Sequence, residues 1–136
     1  MRLTIKSRKP SMSINISWER SGNLLVAILS GRLDGSNADF TEIALESGIE
    51  ESDQALVLDF ENLSFISSAG IRVIWKFAKR FNGPGKKYAL CALTASTRSI
   101  IVMSGLNEFI ALYDSRSEAV SALEGDGTGT NSEQEM

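Results

Sequence analysis

Two short runs, ALVLDF at residues 55–60 and KYALCAL at residues 87–93, are apolar at almost every position. A strand that buries one face alternates apolar and polar side chains, whereas a strand apolar throughout must be covered on both faces. Such strands belong to parallel sheets, and parallel neighbours need a long crossover between them, usually a helix. The chain supplies one over residues 69–81. Ile71, Ile74, Trp75, Ala78 and Phe81 recur there at helical spacing, and Arg72, Lys76, Lys79 and Arg80 take the other side. Asn82-Gly83-Pro84-Gly85 then stops the helix. These two strands and the helix between them predict an α/β fold.

The flanking sequence extends the pattern in both directions. Residues 13–20, SINISWER, alternate Ile14, Ile16 and Trp18 with Asn15, Ser17 and Glu19, the mark of a half-buried strand. Ser21-Gly22-Asn23 is turn chemistry, and Leu24–Leu29 makes a second strand of a hairpin. The loop GRLDGSN, 31–37, ends in two good helix caps, Ser36 and Asn37, before a helix that sets Phe40, Ile43, Ala44 and Ile49 on one face and ends near Gly48. Beyond the strand at 55–60, residues 61–67 read as a connection. A third helix follows over 97–103, capped by Thr94 or Ser96 and closed by Ser104-Gly105. A fifth strand at 109–113 and a fourth helix at 117–123, capped by Ser115, complete the chain. The order β-β-α-β-α-β-α-β-α predicts a mixed sheet with helices packed on it.

At 136 residues the length predicts one domain. Residues 12–123 carry it. Residues 1–11 form a basic extension with Arg2, Lys6, Arg8 and Lys9, and residues 124–136, acidic and nearly free of apolar side chains, are expected to be a flexible tail.

Composition removes several function classes. The chain has no histidine and one cysteine, Cys91, so a Ser-His-Asp or Cys-His site and a Cys/His zinc site cannot be built. No disulfide can form within the chain, which makes a reducing, cytoplasmic setting the expectation. No run approaches the ~18 apolar residues of a membrane span, and the basic N-terminus lacks the apolar stretch of a secretory signal. Acidic residues outnumber basic ones, 17 to 14, which disfavours a nucleic-acid partner. The loop Asn82–Lys87 follows a helix and precedes a strand, the reverse of a phosphate loop, and lacks its pattern. No metal site, no cofactor and no enzymatic activity are expected. Trp18, Trp75 and Cys91 read as core or edge residues, and the basic helix face as solvated surface.

Chemistry concentrates in LDFENLSFISSAGIRVIW, residues 58–75, where a strand leads through Ser64, Ser67 and Ser68 into a helix. Serines at a helix start can cap its free N–H groups. The same position also tolerates an anion, because unpaired N–H donors and the helix dipole favour negative charge there. A phosphate on Ser68 could thus leave the fold intact while changing the surface offered to a partner.

This segment resembles the signature of STAS domains, the fold of bacterial anti-sigma factor antagonists. The family pattern has an apolar strand ending in Asp, then L-S-F/Y-I/M, then D/S-S-S/T/A-G-L/I-R. Here it reads Asp59, Leu63-Ser64-Phe65-Ile66 and Ser67-Ser68-Ala69-Gly70-Ile71-Arg72. GRLDGSNA at 31–38 is similar to the family's G-x-L/I-D loop, and residues 103–123 are similar to its usual ending. The resemblance covers about residues 12–123.

It implies a partner-switching protein that is not itself an enzyme. Its partner would be an anti-sigma factor that is also a serine kinase, phosphorylation at Ser68 would release it, and a metal-dependent serine phosphatase would reset it. Asp34 would lie near the phosphoacceptor, Asp59 would end the central strand nearby, and Ser67, Ser68, Ala69, Gly70 and Arg72 would join Asp34 in the docking surface. The best-known antagonists carry Asp immediately before the phosphoserine. Ser67 stands there in this chain and is an alternate acceptor. Two other readings compete. One is a STAS subunit that is not phosphorylated, in a transport, stress-sensing, secretion or biofilm assembly. The other is a small-ligand or nucleotide-binding domain.

Overall fold

A computed structural model describes residues 2–6 and 13–125. The elements are β1 (Arg2–Lys6), β2 (Ile14–Ser21), β3 (Leu24–Leu33), α1 (Ala38–Gly48), β4 (Ala55–Ile66), α2 (Ser68–Arg80), β5 (Lys87–Cys91), α3 (Ala95–Ser104), β6 (Ala111–Tyr113) and α4 (Arg116–Gly125), with a short 3-10 turn at Leu106–Glu108. The strands form one sheet in chain order. β1–β2 and β2–β3 are antiparallel, and β3 to β6 run parallel. The expected order of five strands and four helices is present. β1, within the basic extension, adds a sixth strand by pairing Arg2 with Glu19 through Lys6 with Asn15.

Because β3 to β6 advance in one direction, crossovers of a single hand place α1, α2 and α3 on one face. That face holds the larger core: Ile16, Trp18 and Leu29, Leu56, Leu58 and Phe60 from the sheet meet Leu45, Ile74, Phe77 and Ile101 from the helices. The other face is smaller, with Leu24, Val26, Val57 and Cys91 under Ala119 and Leu123 of α4. Strands β4 and β5 are therefore covered on both sides, as their composition requires. Cys91 is buried and free, and burial pushes its thiol up to about 12, so it is a packing residue.

Several expectations shift. β4 does not stop at Phe60 but continues to Ile66, because the ladder with β3 persists through Gly31–Leu63 and Leu33–Ile66 after register shifts. Glu61, Asn62 and Ser64 are exposed, and the register shift that skips Ser64 sets buried Leu63 and Ile66 three residues apart, which breaks the two-residue period and disguised the extension as a loop. β6 is shorter than expected, since the backbone at Leu106–Glu108 winds into the 3-10 turn and leaves Phe109 exposed. On α1 the inward residues are Ala38, Thr41, Ala44 and Leu45, and Ile43 is 70% exposed. On α2 they are Gly70, Val73, Ile74 and Phe77, which turns Trp75 to the surface. α4 runs to Gly125, past the expected boundary, and residues 126–136 of the expected tail lie outside the described residues.

Candidate functional site

The site forms where β3 and β4 end side by side. Leu33 and Ile66 are paired across the parallel ladder, and the N–H of Ser67 donates to the carbonyl of Leu33 at 2.9 Å. The segment carrying Asp34 and the start of α2 therefore leave the same edge of the sheet together. Carboxyl ends of parallel strands are where open α/β sheets present their binding surfaces.

Ser67 is the N-cap residue of α2, with extended backbone, and its carbonyl accepts from the N–H of Ile71 at 2.9 Å. Its hydroxyl does not cap. The Oγ atom is buried and has no hydrogen-bond partner. Ser68 begins the helix and is exposed. Gly70 is buried beneath the first turn, and a Cβ there would lie 2.7 Å from Cγ1 of Ile66 and 2.8 Å from Cγ of Leu33. Only a glycine lets the helix start settle this closely on the sheet. Gly70 thus enters the site through the spacing it permits. Ala69 is partly buried, and Arg72, one turn beyond Ser68, is exposed.

Asp34 is held by its own loop. Its Oδ1 accepts from the hydroxyl of Ser36 at 2.6 Å and from the N–H of Ser36 at 3.0 Å, and Nε of Arg32 stands 3.7 Å from Oδ2. The Ser36 hydroxyl first, then its N–H and Arg32, draw the carboxyl below the usual range, so it is an anion at neutral pH. Asn37 is the N-cap residue of α1, as expected, but its buried side chain does not cap the helix and braces the turn. Its Oδ1 accepts from the N–H of Asp34 at 3.0 Å and its Nδ2 donates to the carbonyl of Arg32 at 2.8 Å. Arg32 also lies 4.3 Å over the ring of Phe65. Ser36, Asn37, Arg32 and Phe65 belong to this site by geometry. Only the Asp-Gly-Ser-Asn turn chemistry hinted at them in the sequence.

Shallow grooves flank α2. One, of about 330 Å³, is lined by Ser68, Ile71, Arg72, Trp75, Leu106 and Phe109, with the Trp75 and Phe109 rings edge to face at 5.5 Å. The other lies towards α1, past Gly35, Ala38, Ala69 and Arg72. On that side Lys76 pairs with Glu42 and Arg80 with Glu46.

Asp59 is not part of this site. It neither ends its strand nor faces α2: the two-residue alternation that points Leu58 and Phe60 to the larger core points Asp59 to the other face. There it is 1% exposed, 2.8 Å from Nε of Arg116, whose Nη1 reaches Glu19 at 2.9 Å. This pair ties α4 to the sheet.

A family model for the STAS domain matches residues 15–119. The chain is 30% identical over 114 residues to the anti-sigma F factor antagonist of Paenibacillus polymyxa, covering 83% of this chain and 97% of that one. The chain belongs to the STAS domain proteins of the anti-sigma factor antagonist family. Members of this antagonist family are regulators, not enzymes. An anti-sigma factor antagonist from Mycobacterium paratuberculosis superposes with a TM-score of 0.77 at 26% identity, over 85% of this chain and 97% of that one. The anti-sigma factor antagonist SpoIIAA in its unphosphorylated form has the same fold, with a TM-score of 0.69 at 20% identity over 81% of this chain and 96% of that one. Among the described residues of this STAS domain, no helix is long and apolar enough to cross a membrane.

Proposed function

We propose that this antagonist is a cytoplasmic partner-switching regulator controlled at Ser68. Unmodified, it binds an anti-sigma factor that is also a serine kinase, and so frees that factor's other client. Phosphorylation at Ser68 releases it, and a metal-dependent serine phosphatase restores the hydroxyl. In the transfer, Ser68 Oγ bonds to the γ-phosphorus of ATP, the bond to ADP breaks, and the hydroxyl proton passes to a base of the kinase. ATP and metal come from the kinase.

The observation that carries this reading is the placement of Ser68: exposed, first in α2, beside the anionic Asp34 loop and at the rim of an apolar groove. The N-terminal turn tolerates the phosphate through its free N–H groups and dipole. Exposure favours Ser68 over Ser67, whose Oγ is buried where a kinase cannot reach it without opening the helix start. Asp34, Ser68, Ala69 and Arg72 offer the docking surface, and Ser67 and Gly70 shape it from beneath.

The test is a pull-down from native lysate with Ser68→Ala and Ser68→Asp baits, read by mass spectrometry. An ATP-binding serine kinase of the anti-sigma type should be retained by the first and lost from the second. Identical partners on both baits would overturn control at Ser68 and assign the chain to the STAS subunits that are not phosphorylated.

A further inference from the structure

We propose that Arg72 receives the phosphate of Ser68 within the same helix, so that modification inverts the charge of the groove mouth instead of only adding to it. The inference rests on Ser68 being the phosphoacceptor. Ser68 and Arg72 are four residues apart in α2, which puts them on one face with Cβ atoms about 5–6 Å apart. Both are exposed and both line the groove that ends at Trp75 and Phe109.

Arg72 is also the cation available for the task. Lys76 and Arg80 on the same helix are paired with Glu42 and Glu46. Arg32, the other nearby guanidinium, lies over Phe65 and beside Asp34. The side chain of Arg72 has no hydrogen bond or ion pair among the described residues. An uncharged Ser68 hydroxyl gives it no reason to fold back along the helix, so it stays open to an acidic group on a partner.

A phosphate changes each of these terms in the same direction. It adds about −1.5 to −2 charges and three strong acceptor oxygens. An anion N-terminal to a cation at this spacing is the favourable order, and the helix dipole supports it. The guanidinium fork can meet two phosphate oxygens at once. The groove mouth then passes from about +1 to about −0.5 to −1. A partner drawn to Arg72 meets repulsion at the same place, with no change of fold.

The experiment uses the full chain with phosphoserine installed at position 68 during translation, so no kinase is needed. Phosphorus NMR follows the second ionisation of the phosphate, near pH 6 for a free phosphoserine. Arg72 stabilises the dianion, so the midpoint should lie roughly 0.3–0.7 pH unit lower in the parent than in Arg72→Gln. Arg72→Lys should fall between them, and 1 M salt should shrink the difference. Equal midpoints in parent and Arg72→Gln would overturn the proposal, as would a shift that followed Arg32→Gln instead. Failure of the pull-down would refute the switch at Ser68 and leave this titration untouched, which separates the two.

Discussion

Gly70→Ala sets two known effects against each other at the centre of the site. In an ordinary helix interior the change is favourable by about 0.8–1 kcal/mol, because alanine loses less backbone freedom. Here the added Cβ would sit 2.7 Å from Ile66 Cγ1, 2.8 Å from Leu33 Cγ and 3.1 Å from Leu33 Cδ2. Two of these are closer than carbon atoms pack, and neither neighbour has room to yield: Ile66 is 1% exposed and Leu33 is fully buried. Overpacking of this kind costs typically 1–3 kcal/mol. Since steric strain at two fixed contacts outweighs the propensity gain, the variant should lose about 1–2 kcal/mol. Relief of the strain would lift the first turn of α2 and carry Ser68 away from the Asp34 loop, so partner retention should weaken as well. Urea unfolding followed by circular dichroism reads the first effect, with an unchanged slope and a lower midpoint. Gly35→Ala is the control, because a Cβ there meets nothing within 4 Å. A Gly70→Ala protein as stable as its parent, or more so, would refute the claim that Gly70 sets the seat of the helix.

Three charge pairs carry the remaining predictions. Arg116→Met strips Asp59, which is 1% exposed, of its only side-chain partner among the described residues, and should cost about 3 kcal/mol in urea unfolding, whereas Arg98→Met, at an exposed 3.5 Å pair with Asp114, should cost under about 1 kcal/mol. Burial tends to raise the Asp53 carboxyl, but hydrogen bonds from Arg20 at 2.9 and 2.7 Å outweigh it and hold the folded value below the usual one. A depressed value stabilises the fold above the unfolded value near pH 4 and loses that contribution as the pH falls through the folded value. Stability of the parent should therefore drop on acidification below about pH 4, and Arg20→Gln should flatten that part of the profile in acid-titrated thermal melts.

What the sequence determined by itself was the fold class, the order of the five strands and four helices after β1, and the start of α2 to within one residue, expected at Ala69 and found at Ser68. These follow from local signals: apolar runs too continuous for one-sided strands, helical spacing, and turn residues that bound them. Legibility stopped where a residue's role depended on which way an element faced. Trp75 and Ile43 keep helical spacing with buried neighbours, yet Val73 and Leu45 face the core in their place, because the angle at which a helix lies on a sheet is chosen by total packing and not by its own sequence. Asp59 sits in the signature segment, but a strand's two-residue alternation sends it through the sheet to Arg116, 57 residues away. The hydroxyl of Ser67 and the amide of Asn37 both carried the mark of helix caps, but burial left the first without a partner, and the backbone of the turn itself, at Arg32 and Asp34, took up the second. The pairing of Leu33 with Ile66 brought the Asp34 loop to Ser68, a juxtaposition of residues 34 positions apart that only the parallel ladder between β3 and β4 could create.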